Sequence, residues 1–94
     1  MTLAKQAEEL NYRIKREFDR AGLANQYRMD NGEPVFYVEE RDGKLYLGDY
    51  NWEEPMSKEE MNEALEGGIE QAARDWINAV DLGMAELAQE GGPV

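Results

Sequence analysis

The sequence predicts a single α+β domain: an N-terminal helix, a three-stranded antiparallel meander, and two C-terminal helices or one bent helix. Apolar residues recur at helical spacing near both ends, and two turn dipeptides divide an alternating segment in the middle. A length of 94 residues suits one domain, and a hydrophobic content of 41 % argues against wholesale disorder. We assign residues 1–90 to the domain and residues 91–94 (GGPV) to a flexible tail.

The first helix is predicted to begin after Thr2, a good N-cap residue, and to end at Gly22. One face is apolar and consists of Leu3, Ala7, Leu10, Ile14, Phe18 and Ala21. The other faces carry arginines interleaved with glutamates, namely Arg13, Arg16, Arg20, Glu9 and Glu17. Opposite charges four residues apart stabilise a helix weakly, so this helix is nearly neutral. It either packs on the sheet or presents its arginines to a second partner.

The middle segment is predicted to form strands at 26–30, 35–41 and 44–50. Asn31-Gly32 and Asp42-Gly43 separate them, because both dipeptides tolerate the positive φ angles of tight hairpin turns. A two-residue turn at Asp42-Gly43 pairs Arg41 with Lys44 and thereby sets the register.

Strand alternation then predicts two faces of the sheet. The face expected to pack on the helices collects Tyr27, Met29, Phe36, Val38, Leu45 and Leu47. The opposite face collects Val35, Tyr37, Tyr46 and Tyr50, with Arg28 and Glu39 among them. This aromatic face is either a contact surface or ordinary cross-strand packing of tyrosines.

The pattern returns to helix after Pro55. Ser57 and Glu60 have the spacing of a capping box. Gly67-Gly68 is expected to interrupt or bend the helix, because glycine is a poor helix former. The apolar stripe on either side of it comprises Met61, Leu65, Ile69, Ala72, Ala73, Trp76, Ile77, Val80, Met84 and Leu87.

The composition favours a non-catalytic protein without a cofactor. Histidine and cysteine are absent, so the usual zinc ligands and nucleophile–base pairs are missing. Ser57 is the only serine, and it is predicted to cap a helix. Adjacent carboxylates such as Glu53 with Glu54 are a remaining route to acid–base catalysis, but a domain of this size has little room for the enclosed site they need.

The segment DYNWEEPMSKEE resembles a calcium-binding loop in its ligand spacing. Positions 1, 3, 5, 9 and 12 of such a loop fall on Asp49, Asn51, Glu53, Ser57 and Glu60. Glu54 occupies position 6, where the loop needs glycine for its sharp turn, and Pro55 follows. The alternative is a strand-to-helix connection that ends in the capping box, and we predict no metal site.

The net charge of −11 is concentrated after the first helix. Residues 1–24 hold five basic and four acidic side chains, which leaves five basic and 17 acidic ones for the remainder. Such a chain should be repelled by nucleic acid and anionic membranes, and attracted to basic surfaces. With no cysteine, no apolar run of membrane-spanning length and no signal-peptide pattern at the N-terminus, we expect a cytoplasmic protein.

An acidic stripe is predicted after Ser57. In a continuous helix, Glu59, Glu63, Glu66 and Glu70 would lie on one face, with neighbouring carboxylates about 5–6 Å apart. Arginines and lysines of a DNA-binding cleft could pair with such a row, which has the sign of DNA phosphates, and nearby aromatics could add apolar contacts. The predicted partner-binding residues are Asp49, Glu53, Glu54, Glu59, Glu60, Glu63, Glu66, Glu70, Tyr46, Tyr50 and Trp52. The alternatives are a solvated face that maintains solubility and the acidic surface of a salt-adapted proteome.

In topology, size and charge, the chain resembles the small acidic anti-CRISPR proteins of bacteriophages that act as DNA mimics. The resemblance covers most of the chain and involves no shared sequence motif. It implies a phage-encoded, non-catalytic inhibitor that occupies the DNA-binding cleft of an RNA-guided nuclease in the bacterial cytoplasm. The alternative is an acidic interaction or assembly module without mimicry, either a homodimer or an accessory subunit. Its contact would be the Tyr37, Tyr46 and Tyr50 face or the helix that carries Trp76.

Overall fold

The structure is a computed structural model that describes the backbone of residues 2–90 and the side chains of residues 2–80. In chain order, its elements are α1 (Leu3–Arg20), a 3₁₀ turn (Ala24–Gln26), β1 (Phe36–Arg41), β2 (Lys44–Asp49), β3 (Glu53–Pro55), α2 (Lys58–Glu63), a π turn (Ala64–Gly68) and α3 (Ile69–Glu90). The strands form one antiparallel sheet in the order β1-β2-β3, which confirms the predicted α+β fold. The proposed tail 91–94 and the side chains of Met84 and Leu87 lie outside the described residues.

Helix α1 has the predicted boundaries. The Thr2 hydroxyl accepts a hydrogen bond from the Lys5 amide at 3.2 Å, which caps the N-terminus. Gly22 follows the helix with φ of 75°, and the Leu23 amide donates to the Phe18 carbonyl at 2.8 Å. This bond satisfies one of the last free carbonyls, and the left-handed conformation it requires favours glycine.

The hairpin between β1 and β2 also follows the prediction. Asp42 and Gly43 have φ angles of 52° and 80°, as a tight turn with two left-handed residues requires. Arg41 pairs with Lys44, and the same register continues to the end of β1, where Phe36 pairs with Asp49.

The predicted first strand at 26–30 is wrong. A 3₁₀ turn runs through Gln26, and only Arg28 forms a single bridge, to Pro34. The free edge of β1, where a further strand would pair, is held at its centre by a side chain. The Asn11 amide donates to the Val38 carbonyl at 2.7 Å and accepts from the Val38 amide at 2.8 Å. The third strand is instead β3, in a segment predicted to be a connection.

Two members of the predicted outer face also lie elsewhere. Val35 precedes β1, so the alternation of the strand does not determine the direction of its side chain. Its amide donates to the Tyr27 carbonyl at 2.8 Å, and its side chain is buried in the core. Tyr50 follows the end of β2 and contacts Trp76 of α3 edge-on, with ring centroids 6.2 Å apart. Tyr37 and Tyr46 remain on the outer face.

The core lies between the sheet and the two long helices. Its fully buried large side chains are Phe18, Phe36, Leu10, Ile14, Leu45 and Ile69. Arg13 faces Glu70 and Arg74 bonds to Glu17, so α1 and α3 run in parallel. Glu17 is only 4 % exposed, and its carboxylate also contacts Arg20 at 3.3 Å, which satisfies the one buried charge among the described residues.

The bend predicted at Gly67-Gly68 is confirmed. Gly67 has φ of 123°, a conformation that side chains rarely adopt, and it separates α2 from α3. At Gly68 a Cβ atom would lie 2.8 Å from the Glu63 carbonyl oxygen, so the bend has no space for a side chain there. Arg13 donates to the Leu65 carbonyl at 2.7 Å and stabilises the altered backbone of the π turn.

Candidate partner-binding surface

Five exposed carboxylates lie on consecutive elements, from β3 through α2 into the π turn. We call this surface the acidic face; it comprises Glu54, Glu59, Glu60, Glu63 and Glu66. None of the five forms a salt bridge with another residue in the described part of the chain. Lys58 is the only basic residue between positions 45 and 73, so the local field is strongly negative.

A capping box fixes the start of α2 and with it the direction of the acidic face. The Ser57 hydroxyl accepts from the Glu60 amide, and the Glu60 carboxylate accepts from the Ser57 amide, both at 3.1 Å. Glu59 and Glu63 then lie one helical turn apart on the same face. Glu59 and Glu60 also lie in the first turn, where the helix dipole favours negative charge.

Asp49, a predicted binding residue, is engaged within the protein. One carboxylate oxygen accepts from the amides of Asn51 at 2.7 Å and Trp52 at 3.1 Å, and the other accepts from the Trp76 indole at 2.8 Å. Asp49 therefore anchors the β2–β3 connection to α3. Gly48 keeps this connection close to β2, since a Cβ atom there would lie 2.7 Å from the Trp52 carbonyl oxygen.

Glu53 lies on the outer face of the sheet, separate from the acidic face. Its carboxylate pairs with Arg41 and accepts a 2.9 Å hydrogen bond from the Tyr37 hydroxyl. Arg41 and then Tyr37 lower the pKa of Glu53, because both hydrogen bonds favour the ionised carboxylate. Desolvation first, and then the bond to Glu53, raises the pKa of Tyr37 to about 12.

The structure also separates Glu70 from the acidic face. The bend turns this half-buried side chain toward α1, where a carboxylate oxygen lies 3.8 Å from Arg13. Arg13 also bonds to Glu9 at 2.9 Å, so two carboxylates share its charge. The stripe expected from a continuous helix therefore stops at Glu66.

The three predicted aromatic residues occupy different surroundings. Trp52 and Tyr50 are 41 % and 54 % exposed in the β2–β3 connection. Tyr46 is half-buried on the outer face of the sheet, where the Arg41 guanidinium lies 4.5 Å from its ring centroid. Of the three, the two residues of the connection therefore expose the larger aromatic surface, and Trp52 directly precedes β3.

The segment that resembles a calcium-binding loop has its oxygen atoms directed to separate partners. Asp49 bonds to Trp76, Glu53 pairs with Arg41, and Glu60 bonds to the Ser57 amide. Among the described residues, no group of three or more histidine, cysteine, aspartate or glutamate side chains is arranged to hold a metal ion. Nor does any helix among them have the length and apolar content required to cross a membrane.

Comparisons with protein-family models, with curated proteins and with solved structures returned no match.

The structural features that sequence patterns did not reveal are the Asn11 contact with β1, the anchoring of Trp76 by Asp49, and the role of Arg13 at the bend. Each joins residues far apart in the chain, and hydrophobic periodicity carries no signal for such contacts.

Proposed function

We propose that the protein is a non-catalytic inhibitor that binds the basic nucleic-acid-binding site of a host defence protein. It would act in the bacterial cytoplasm as an anti-CRISPR-like mimic of DNA. The observation that carries this proposal is the acidic face, whose five carboxylates are exposed and lack salt bridges within the described part of the chain. By contrast, Glu9, Glu17, Glu53 and Glu70 all have arginine partners.

Unpaired carboxylates in a row cost stability, because like charges repel each other. A basic partner would remove that repulsion and form charge-assisted hydrogen bonds. The capping box and the Asp49 anchor fix the surrounding backbone before binding, so little ordering is required when the partner arrives. Trp52 next to Glu53 and Glu54 supplies an exposed aromatic surface of the kind enriched at interface hot spots.

Charge reversal with a matched control tests this proposal. The test variant carries Glu59→Lys, Glu63→Lys and Glu66→Lys. The control carries Asp19→Lys, Asp30→Lys and Glu40→Lys, which change the net charge equally at exposed sites away from the acidic face. Each protein is used to capture binding partners from nuclease-treated bacterial lysate. We expect the test variant to lose a nucleic-acid-binding partner that the control retains; retention by both variants would refute the proposal.

The alternative is an acidic interaction or assembly module without mimicry, including a homodimer. The observation that favours it is the outer face of the sheet, where Tyr37 and Tyr46 lie on the neighbouring strands β1 and β2 and are both only half-buried. Association through this face would resist salt. Sedimentation equilibrium at about 0.1 M and about 0.5 M salt should then give the same dimer mass. Loss of that dimer in a Tyr46→Ala variant would assign the contact to this face.

A further inference from the structure

A shallow groove opens beside the acidic face, between β2, the segment that follows β3, and the bent helix. Its floor is formed by buried Ala64 and Ile69, and its walls by half-buried Leu47, Met56 and Ala72. The groove exists because the chain bends at the π turn, where Gly68 lines it without a side chain. Its volume of about 150 Å³ is below the range typical of small-molecule sites, which points to an occupant the size of one side chain.

The rim of the groove has the opposite character to its floor. Glu60 and Glu63 stand at the mouth, and both are exposed. The capping box uses one oxygen of Glu60, which leaves its second oxygen and both oxygens of Glu63 available to a ligand. An apolar channel that ends at carboxylates is complementary to a side chain with an alkyl stem and a cationic head.

We propose that this groove binds one arginine side chain of the basic partner. Its methylene stem lies against Leu47, Met56 and Ala72, and its guanidinium bridges Glu60 and Glu63. Arginine suits the site better than lysine, because its planar group can donate to two carboxylates at once. This inference rests on the proposed function, since it takes the partner to be basic, and it adds a specific subsite to a charge-based contact.

Other occupants fit the groove less well. A metal ion would gain nothing from the apolar walls, which cannot coordinate it. A second copy of this chain related by a two-fold axis at the groove would bring its own acidic face toward Glu60 and Glu63, and like charges would repel at that distance. Only a side chain with an apolar stem and a cationic head, such as arginine, contacts both the apolar walls and the acidic rim of the groove.

A titration with two small probes tests the subsite on the intact protein. Nuclear magnetic resonance shifts are followed as N-acetyl-arginine N-methylamide or guanidinium chloride is added at matched ionic strength. We expect the arginine probe to shift the methyl signals of Leu47, Met56 and Ala72 and to bind about tenfold more tightly, since burying roughly two methylene groups gives that factor. Equal dissociation constants, or shifts confined to the carboxylate residues, would overturn the proposal.

Matched variants assign the effect to the groove. Glu63→Gln should weaken arginine binding, whereas Glu66→Gln, which removes the same charge outside the groove, should not. Ala72→Met fills the groove without changing charge and is well tolerated in a helix, so it should abolish the advantage of arginine over guanidinium. Equal effects of Glu63→Gln and Glu66→Gln would contradict the subsite.

The two proposals fail in distinguishable ways. If charge reversal abolishes capture of the partner while the probe titration shows no preference for arginine, the acidic face binds but the groove does not. If charge reversal leaves capture unchanged, the proposed function fails, and the titration still decides whether the groove binds arginine.

Discussion

Replacing Asn11 by alanine tests how the free edge of the sheet is stabilised. The Asn11 side chain forms two hydrogen bonds with the backbone of Val38, at 2.7 and 2.8 Å, across 27 residues of sequence. Each bond contributes about 1 kcal/mol, so their loss costs about 2 kcal/mol. Alanine recovers about 0.5 kcal/mol through its higher helix propensity. The free energy of unfolding should therefore fall by about 1.5 kcal/mol, which lowers the melting temperature by about 6–12 °C for a domain of this size.

Urea unfolding followed by circular dichroism measures this loss, and Asn62→Ala is the matched control. Asn62 lies in α2, is exposed, and forms no side-chain hydrogen bond with another described residue. Replacing Asn62 by alanine gains helix propensity and loses no such hydrogen bond. The free energies of unfolding of the two variants should therefore differ by about 2 kcal/mol. Equal stabilities of Asn11→Ala and Asn62→Ala would refute the role of the amide. Sedimentation of Asn11→Ala should also show self-association, because an uncovered edge strand can pair with another chain.

Three further perturbations follow from the structure. Arg13→Met should lower the free energy of unfolding in urea by about 2 kcal/mol, because it removes the bond to the Leu65 carbonyl and the ion pairs with Glu9 and Glu70; an unchanged midpoint would contradict this. Gly67→Ala should cost more than 1 kcal/mol by the same assay, because φ of 123° is strained for alanine, and stability at or above that of the original protein would exclude a positive φ there. Tyr37 has a pKa of about 12, above its unfolded value, so its contribution to stability is complete below about pH 10 and is lost as pH rises through about 12. Ultraviolet titration of the tyrosines, with Tyr37→Phe to assign the signal, should show that Glu53→Gln lowers this pKa; no change would exclude the bond to Glu53 as a cause.

Local patterns predicted the parts of the fold that short-range chemistry determines. The Asp42-Gly43 turn fixes the hairpin register, because few residues adopt its positive φ angles. Ser57 and Glu60 form the predicted capping box, and Gly67 bends the helix where its low propensity indicated. Each of these features lies within a few neighbouring residues, so the sequence pattern contains the relevant information.

Contacts between distant residues explain what the patterns missed. The strand predicted at 26–30 does not form, and the edge it would have paired with is held by Asn11, which periodicity identifies only as a polar helix position. Strand β3 has three residues and includes Pro55, so its sequence gives no strand signal. The sequence predicts Asp49 as a partner-binding residue, but the Trp76 indole, 27 residues away, donates a hydrogen bond to its carboxylate.

The candidate surface was predicted only in part for the same reason. Glu54, Glu59, Glu60, Glu63 and Glu66 are each exposed, and their role in binding a partner stays a prediction. Glu53 and Glu70 are instead paired with arginines, on the sheet and on α1 respectively, which local spacing does not reveal. The groove beside Glu60 and Glu63 forms where the bent helix meets Leu47 of β2 and Met56 after β3, a tertiary arrangement that no single segment encodes.

Displacement of a captured partner by duplex DNA tests the central claim most directly. The protein is immobilised, exposed to nuclease-treated bacterial lysate at about 0.1 M salt, and washed with duplex DNA or with salt raised to about 0.5 M. We predict that both washes release the same nucleic-acid-binding protein, because DNA and the acidic face compete for one basic site. A partner that remains bound through both washes would contradict mimicry and identify a salt-resistant contact elsewhere on the molecule.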